Sequence, residues 1–426
     1  MLPDTIEIVP LEGGVRAEIT VPGSKSITNR ALILAALADG RTILHGALWS
    51  EDTQAMVDCL QRLGFDVEVG IDPEESSDRT IAVQGLGGKI PSAGSANEPL
   101  DLFVGNAGTA ARFLSAFVCL GQGTYRLHGV KRMHERPQAA LFQALRELGY
   151  QVDSPNNKLP VIIHGTGPKK GTCSVSIGES SQFASALLLC AGKGRWSVKI
   201  VGENTEESPY VVMTSRLVES FPQHGSEFHI EPDASSGSYF WAAGKILSPD
   251  AKNPTVSVKE WPTSGWQIDA EFSKCLDLPE TISREGQLGD SIMTGIVMAP
   301  LTSTHPVRFT DLGRLRVQEC ERVHALRTEL ARCGAKAIET GDTLEVFPGT
   351  LHGAEIETYN DHRMAMCFAI LGLKVSGIKI KNPACVKKTF PDFFQKLAAP
   401  APHGLGVTIL HGRTHKPLNG EELFAD

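Results

Sequence analysis

Lys25, Arg30, Arg112, Arg363 and Lys388 share a setting: each stands at or near a short turn of small or polar residues beside an apolar run. Arg132 and Arg136 lie similarly, within Lys131-Arg132-Met133-His134-Glu135-Arg136-Pro137. Arginine offers carboxylate and phosphate groups a bidentate fork, and lysine a movable point charge. Singly, these are ordinary solvated charges. Together, cations at several helix starts suit a small ligand bearing phosphate and carboxylate groups. Three acids occupy comparable places. Asp290 follows Gly289 and opens an apolar run, where its plain role is a helix cap. Glu319, in Arg316-Val317-Gln318-Glu319-Cys320-Glu321-Arg322, has pairing with Arg322 as its plain role. Asp361 precedes His362, which is either a general acid or a hydrogen-bond donor to a ligand.

The elements that must position these residues recur six times. Gly23-Ser24-Lys25-Ser26-Ile27-Thr28-Asn29-Arg30 leads into residues 31–38, which Asp39-Gly40 closes, and Gly105-Asn106-Ala107-Gly108-Thr109-Ala110-Ala111-Arg112 leads into 113–120. Glu179-Ser180-Ser181-Gln182 leads into 183–191, and Asp233-Ala234-Ser235-Ser236-Gly237-Ser238 into 239–246. Leu288-Gly289-Asp290-Ser291 leads into 292–301, and Asn360-Asp361-His362-Arg363 into 364–373. The runs are apolar nearly all round, which predicts helices buried inside a domain. Each helix start carries about half a positive charge and unpaired N–H groups, so six starts facing one side would trap a multiply anionic ligand. A second, amphipathic helix type ends on glycine before a strand: 50–63 before Gly64 and 65–69, 137–148 before Gly149 and 150–152, 322–333 before Gly334 and 335–338. The repeating unit reads strand, buried helix, strand, surface helix, strand. Six units of about 70 residues are each too small for a domain, which predicts two domains of three units.

The composition narrows the function. With 41 Lys and Arg against 49 Asp and Glu, the net charge is -8, which argues against a nucleic-acid binder. Apolar residues at 41% and charged residues at 21% exclude disorder as the main state. The nine cysteines, an odd number without a CxxC pair, read as small buried hydrophobes in a reducing compartment. The start of the chain lacks the basic and apolar blocks of a signal peptide, and no apolar stretch reaches the ~18 residues that span a bilayer. A cytoplasmic protein without membrane contact is expected. The histidines do not cluster at metal-ligand spacing, so neither a metal nor a cofactor is expected.

The motifs match a known pattern from about Val21 to Leu397. They comprise Pro22-Gly23-Ser24-Lys25-Ser26 with Asn29-Arg30, Gly105-Asn106-Ala107-Gly108-Thr109-Ala110 with Arg112, Arg132-Met133 with Glu135-Arg136-Pro137, Ser180-Ser181-Gln182, Pro209-Tyr210 and Asp233-Ala234-Ser235-Ser236. Further on stand Arg316-Val317 with Glu319 and Arg322, then Tyr359-Asn360-Asp361-His362-Arg363-Met364-Ala365-Met366, and Lys388-Thr389-Phe390-Pro391-Asp392. Their order and number are specific, and the sequence resembles the EPSP synthase family, the 3-phosphoshikimate 1-carboxyvinyltransferases, among the enolpyruvyl transferases. The resemblance implies an α/β fold, a two-domain inside-out α/β barrel of six βαβαββ units, three per domain. It implies a discontinuous first domain (1–22 and 233–426), a second domain (23–232) and an active site in the cleft between them. It also implies a monomer that transfers the enolpyruvyl group of phosphoenolpyruvate to the 5-hydroxyl of shikimate 3-phosphate and releases phosphate.

By the same resemblance, Lys25, Ser26, Arg30, Ser180, Ser181, Gln182, Ser208, Tyr210, Asp290 and Gln318 would hold shikimate 3-phosphate. Lys25, Asn106, Gly108, Arg132, Gln182, Arg322, His362, Arg363 and Lys388 would hold phosphoenolpyruvate. Lys25, Asp290 and Glu319 would be catalytic in an addition followed by an elimination. The acceptor hydroxyl would lose its proton towards Asp290 or Lys25 and attack C2, while Glu319 delivers a proton to C3. The adduct would then lose a C3 proton and expel phosphate. Glu319 in both roles calls for a carboxyl whose pKa a dry site has raised. Glyphosate would compete with phosphoenolpyruvate, given room at Gly108.

Four positions depart from the family pattern: Gln318 for a lysine, Arg314 for an asparagine and able to supply the missing charge, Glu207 for a serine with Ser208 as its substitute, and Phe113 for a proline. The first three bear on the acceptor side. Two other readings compete: an enolpyruvyl transferase for another hydroxyl acceptor, and a non-catalytic anion-binding relative. The Lys25-Ser26 pair and the double serine at Ser180 speak against the UDP-N-acetylglucosamine enzyme. Residues 398–402 read as a linker and 406–410 as one short strand of no assigned function.

Overall fold

The computed structural model describes residues 2–73, 75–202, 208–248 and 255–425. The chain divides into two compact units, one formed by Gly23–Glu231 and the other by Met1–Pro22 with Pro232–Asp426.

The Gly23–Glu231 unit contains helices α1 (Lys25–Leu37), α2 (Glu51–Arg62), α3 (Gly108–Phe117), α4 (Ala139–Glu147), α5 (Gln182–Gly194) and α6 (Pro209–Ser220). The even-numbered helices are amphipathic and the odd-numbered ones buried. Every residue of α1 from Ile27 to Leu37, and all of α3, is out of solvent. Alanine and leucine dominate α1, which favours helix on propensity alone, and burial on all sides supplies most of its stability. α1, α3 and α5 pack on one another. Three separate sheets accompany them. One runs Glu227–His229, Asp39–Leu48, Asp78–Leu86, Val67–Ile71, and another Leu100–Phe103, Gln122–His128, Val161–Thr166, Gln151–Asp153. The third is the parallel pair Gly171–Ser176 and Trp196–Val201, which brackets α5 in the chain.

The other unit repeats this plan with α7 (Ala234–Leu247), α8 (Ile292–Thr302), α9 (Arg322–Arg332), α10 (His362–Gly372) and α11 (Phe393–Ala398). Here α7, α8 and α10 are the mutually packed, buried set. A polar seam joins them: Ser238 Oγ lies 2.8 Å from Thr294 Oγ1, and Thr294 3.8 Å from Cys367 Sγ. Two four-stranded sheets and the parallel pair Val256–Val258 with Ala17–Ile19 complete the unit. Each unit thus holds three mutually packed buried helices and, among the described residues, three sheets. Among the described residues the six sheets are separate.

The helix boundaries differ from the sequence reading in one consistent way. α1, α3, α5, α7 and α10 begin within the polar stretches rather than after them, so Lys25, Gln182, His362 and Arg363 occupy first turns. N–H groups of a first turn have no partner within the helix, and polar side chains and ligands suit them there. Asp39-Gly40 does not close a helix but opens the strand Asp39–Leu48. Gly64, Gly149 and Gly334 do end α2, α4 and α9, with φ of 88°, 85° and 86°, the left-handed region that glycine enters without a Cβ clash.

The final residues are part of the core. Ile409–His411 pairs antiparallel with Thr5–Ile8, and Leu405, Val407, Ile409, Leu423 and Ala425 are buried. Of the stretch read as a linker, Ala398 is the last residue of α11. Ile409→Ala should therefore cost about 2–5 kcal/mol of unfolding free energy, seen as a lower urea midpoint at constant slope. An unmoved midpoint would mean that this strand adds nothing to the core. Among the described residues no helix is long and apolar enough to cross a membrane. All nine cysteines are free.

Candidate active site

In the Gly23–Glu231 unit, polar side chains tie the helix starts together. Arg30, on α1 and 1% exposed, donates to Ser26 O (2.7 Å), Thr214 Oγ1 (2.7 Å), Ser185 Oγ (3.0 Å) and Tyr210 O (3.5 Å). It thereby joins the first turn of α1 to α5 and to the start of α6, and positions Ser26 and Tyr210 from beneath. Burial pulls its pKa down to about 10, so it keeps its charge at neutral pH. Phe113, where the family pattern has proline, lies under this guanidinium, 5.2 Å from ring centre to Cζ. Arg112 Nη1 donates to Gln182 Oε1 (2.6 Å), and Gln182 Nε2 to Thr109 Oγ1 (3.3 Å), which joins the starts of α3 and α5. Ser180 Oγ accepts from the Gln182 backbone N–H at 3.3 Å, and Ser181 is the residue that precedes α5. Among the described residues, buried atoms without a hydrogen-bond partner here include Asn106 Oδ1 before α3 and Ser208 Oγ before α6. Unpaired buried polar atoms are costly, so each calls for a partner such as water or a bound ligand.

Lys25 stands in the first turn of α1 with its Nζ 3.6 Å from Asp52 Oδ2. Asp52, in the first turn of α2, was missed in the sequence because nothing local separates it from an ordinary helix-start acid. Two further cations precede α4 in sequence, Arg132 and Arg136. Arg132, assigned to phosphoenolpyruvate, is half-exposed and pairs with Glu135 at 2.7 Å. Arg136 is the one that reaches the start of α3: its Nη1 donates to Asn106 O at 3.1 Å. A Cβ at Gly108 would lie 2.7 Å from the Arg136 Nη2, so the arginine head packs against the bare glycine.

In the other unit, one chain of charges runs along the helix starts. Lys388 Nζ donates to Glu319 Oε1 and Arg322 Nη2 to Glu319 Oε2, each at 2.8 Å. Arg322, 1% exposed, also donates to Asp361 Oδ2 at 2.7 Å and to Gln318 Oε1. Asp361 caps α10, accepting from the Arg363 backbone N–H at 2.9 Å. The Arg363 guanidinium donates to Ser235 Oγ (3.0 Å) at the start of α7 and lies 3.4 Å from Asp290 before α8. Asp290 also accepts from Arg284 at 2.7 Å. His362 is buried, its Nδ1 3.8 Å from Asp361 Oδ1. One arginine thus gathers three helix starts here, as Arg30 does in its own unit.

These groups shift one another. Burial alone would push the Asp290 carboxyl up, but Arg363, Arg284 and Arg322 hold it below the usual carboxylate range. Burial would lower the Arg322 guanidinium, yet Asp361, Glu319 and Asp290 hold it above its ordinary value. Glu319 thus lies between two cations, Lys388 and Arg322. Gln318 binds Arg322, and Arg314 lies 3.9 Å from Glu285. The remaining departure, Glu207, lies outside the described residues.

Asp269 and Arg284 went unnoticed in the sequence, since Asp269 and Asp290 meet only in the fold. Asp269 Oδ1 accepts from the Ser291 N–H at 2.6 Å, and its carboxyl, first by burial and then by the Asp290 charge, is pushed up to about 7. Stability from the neutral acid is fully present below its unfolded value of 3.8 and is lost as pH rises through about 7. Asp269→Asn, which keeps the acceptor for Ser291, should flatten the stability profile over that window. An unchanged difference between pH 4 and pH 8 in urea melts would place the titration elsewhere.

The comparisons with known proteins came out on one family. The family model for EPSP synthase (3-phosphoshikimate 1-carboxyvinyltransferase) matches residues 11–224 and 219–397. The chain is 36% identical to the 3-phosphoshikimate 1-carboxyvinyltransferase of Nostoc punctiforme, over 92% of this chain and 98% of that one. It is 39% identical to that of Opitutus terrae, over 93% and 97%. Among solved structures, EPSP synthase from Acinetobacter baumannii superposes with a TM-score of 0.70 at 22% identity, covering 96% of this chain and all of that one. The enolpyruvyl transferase NikO from Streptomyces tendae gives 0.66 at 13% identity, over 98% and 100%.

Proposed function

Since the chain belongs to the EPSP synthase family of 3-phosphoshikimate 1-carboxyvinyltransferases, we propose how its residues divide the work of that reaction. It is a transferase that moves the enolpyruvyl group of phosphoenolpyruvate onto the 5-hydroxyl of shikimate 3-phosphate, releasing phosphate. Residues of both units act on the same two substrates, and the protein works as a cytoplasmic monomer. The three sheets of each unit enclose its three buried helices in the inside-out barrel of the family.

Ser26, Ser180, Ser181, Gln182, Ser208 and Tyr210, underpinned by Arg30, hold shikimate 3-phosphate. The unpaired Ser208 hydroxyl supports its place in this set, as the substitute for the serine that the family has at position 207. Lys388, Arg322, Arg363 and Lys25 hold the phosphate and carboxylate of phosphoenolpyruvate, with Asn106, Gly108, Gln182 and His362 beside them. Arg132 joins them by exchanging Glu135 for the donor, which costs little because an exposed ion pair contributes only about 0–1 kcal/mol. Gln318 acts through Arg322.

A carboxylate held as far towards its charged form as Asp290 is a weak base. Asp290 therefore orients the acceptor hydroxyl by accepting its hydrogen bond. Glu319, charged at the outset, takes up the hydroxyl proton, directly or through Lys25, and delivers it to C3 as the oxygen attacks C2. Substrate anions on Lys388 and Arg322 draw those cations away from Glu319, which raises its proton affinity when it must carry the proton. In the second half Glu319 removes a C3 proton as the C2–phosphate bond breaks. The observation that carries this reading is Glu319 held at 2.8 Å by both Arg322 and Lys388, two cations suited to the donor's anionic groups. The test is phosphate release from phosphoenolpyruvate. It should need shikimate 3-phosphate; equal release with unrelated hydroxyl acceptors, or none with any, would overturn the acceptor assignment.

A further inference from the structure

The histidines, scattered along the sequence, do meet in the fold. His45 and His229 are direct partners across the parallel strands Asp39–Leu48 and Glu227–His229. Their rings stack at 4.7 Å with planes 17° apart. Glu227, two residues before His229, lies on the same face of its strand. One ligand atom from each of His45, Glu227 and His229 comes within 4.8 Å of the others. The strand carrying His45 is irregular between Leu44 and Ala47, and Gly46 takes a φ of 65°. Such an interruption re-aims the side chains beside it.

We propose that His45, Glu227 and His229 bind a first-row transition-metal dication of the Zn²⁺ class, with water completing the shell. Two imidazoles and one carboxylate select such ions over Mg²⁺ or Ca²⁺, which prefer all-oxygen shells. Three protein ligands with an open position form an established zinc arrangement. The His45 Nε2 is out of solvent and has no hydrogen-bond partner among the described residues; the Glu227 carboxylate stands 3.7 Å away, too far for a hydrogen bond. Ligand atoms on one tetrahedral zinc sit about 3.3 Å apart, so small rotations of the side chains close the site. The ion would clamp Glu227–His229, the last strand of its unit, to the strand beside it. None of the three belongs to the proposed transferase machinery, so the site stands or falls independently of the substrate assignments.

The test uses the full chain without a polyhistidine tag, stripped by a chelator and kept reduced. Co²⁺ is titrated by its visible absorption and Zn²⁺ by competition with it. One equivalent of Co²⁺ should bind without thiolate charge-transfer bands, Zn²⁺ should displace it, and Mg²⁺ should not. His45→Ala and His229→Ala should each weaken binding by more than about tenfold, since even outer-shell partners of a metal cost that much. Phosphate release should stay unaltered in both. Should His45→Ala fail to fold, His229→Ala, on an exposed side chain, decides alone. No binding at millimolar Co²⁺, or equal binding by the His229→Ala variant, would overturn the proposal.

Discussion

Glu319→Gln should lower kcat by about a hundredfold to ten-thousandfold, the usual worth of a positioned acid–base group, while KM for either substrate moves only a few-fold. Glutamine matches glutamate in size and can still accept from Arg322 or Lys388, but it cannot take up and return a proton. Its amide NH₂ faces whichever cation its oxygen does not, so the melting temperature should fall modestly. Steady-state kinetics beside a melt separate the two effects. Near-full turnover would remove Glu319 from proton transfer and leave it as a strut between Arg322 and Lys388. A large rise in KM with kcat preserved would make it a binding residue only.

Lys25→Met should lower kcat/KM about a thousandfold or more, divided between weaker binding and slower turnover. Lys25 is a cation assigned to phosphoenolpyruvate, and its Nζ lies 3.6 Å from the buried acid Asp52. Removing it also leaves Asp52 buried beside an apolar side chain, which costs stability. The double variant Lys25→Met with Asp52→Asn separates the two consequences. It should regain stability without regaining turnover. Recovery of activity in the double variant would show that the loss came from the stranded carboxylate rather than from the missing ammonium.

Much of the fold was legible because the buried helices are apolar on every side, a pattern that few arrangements other than an enclosed helix satisfy. The glycines at Gly64, Gly149 and Gly334 were equally legible, since a helix stop with positive φ favours that residue. Helix starts were placed too late because polar first turns look like loops when the ligand that explains them is not in view. The terminal strand was undervalued because Ile409–His411 is short and its partner, Thr5–Ile8, lies at the other end of the chain. In the site, single residues such as Lys25, Glu319 and Arg363 stood out through their motifs. Their pairings did not. Asp52 and Lys25 are 27 positions apart, Arg284 and Asp269 carry no local signal, and the choice between Arg132 and Arg136 depends on which way a short turn faces. His45 and His229 meet only because two distant segments share a register.

The most direct measurement is a crystal structure of the Glu319→Gln variant, slowed in turnover, with shikimate 3-phosphate and phosphoenolpyruvate bound. The account predicts one phosphoenolpyruvate held within hydrogen-bonding distance both by Lys25, from the Gly23–Glu231 unit, and by Arg363 or Lys388, from the other. A donor molecule contacted by one unit alone, with the second set of cations still paired to Glu319→Gln and Asp290, would contradict it.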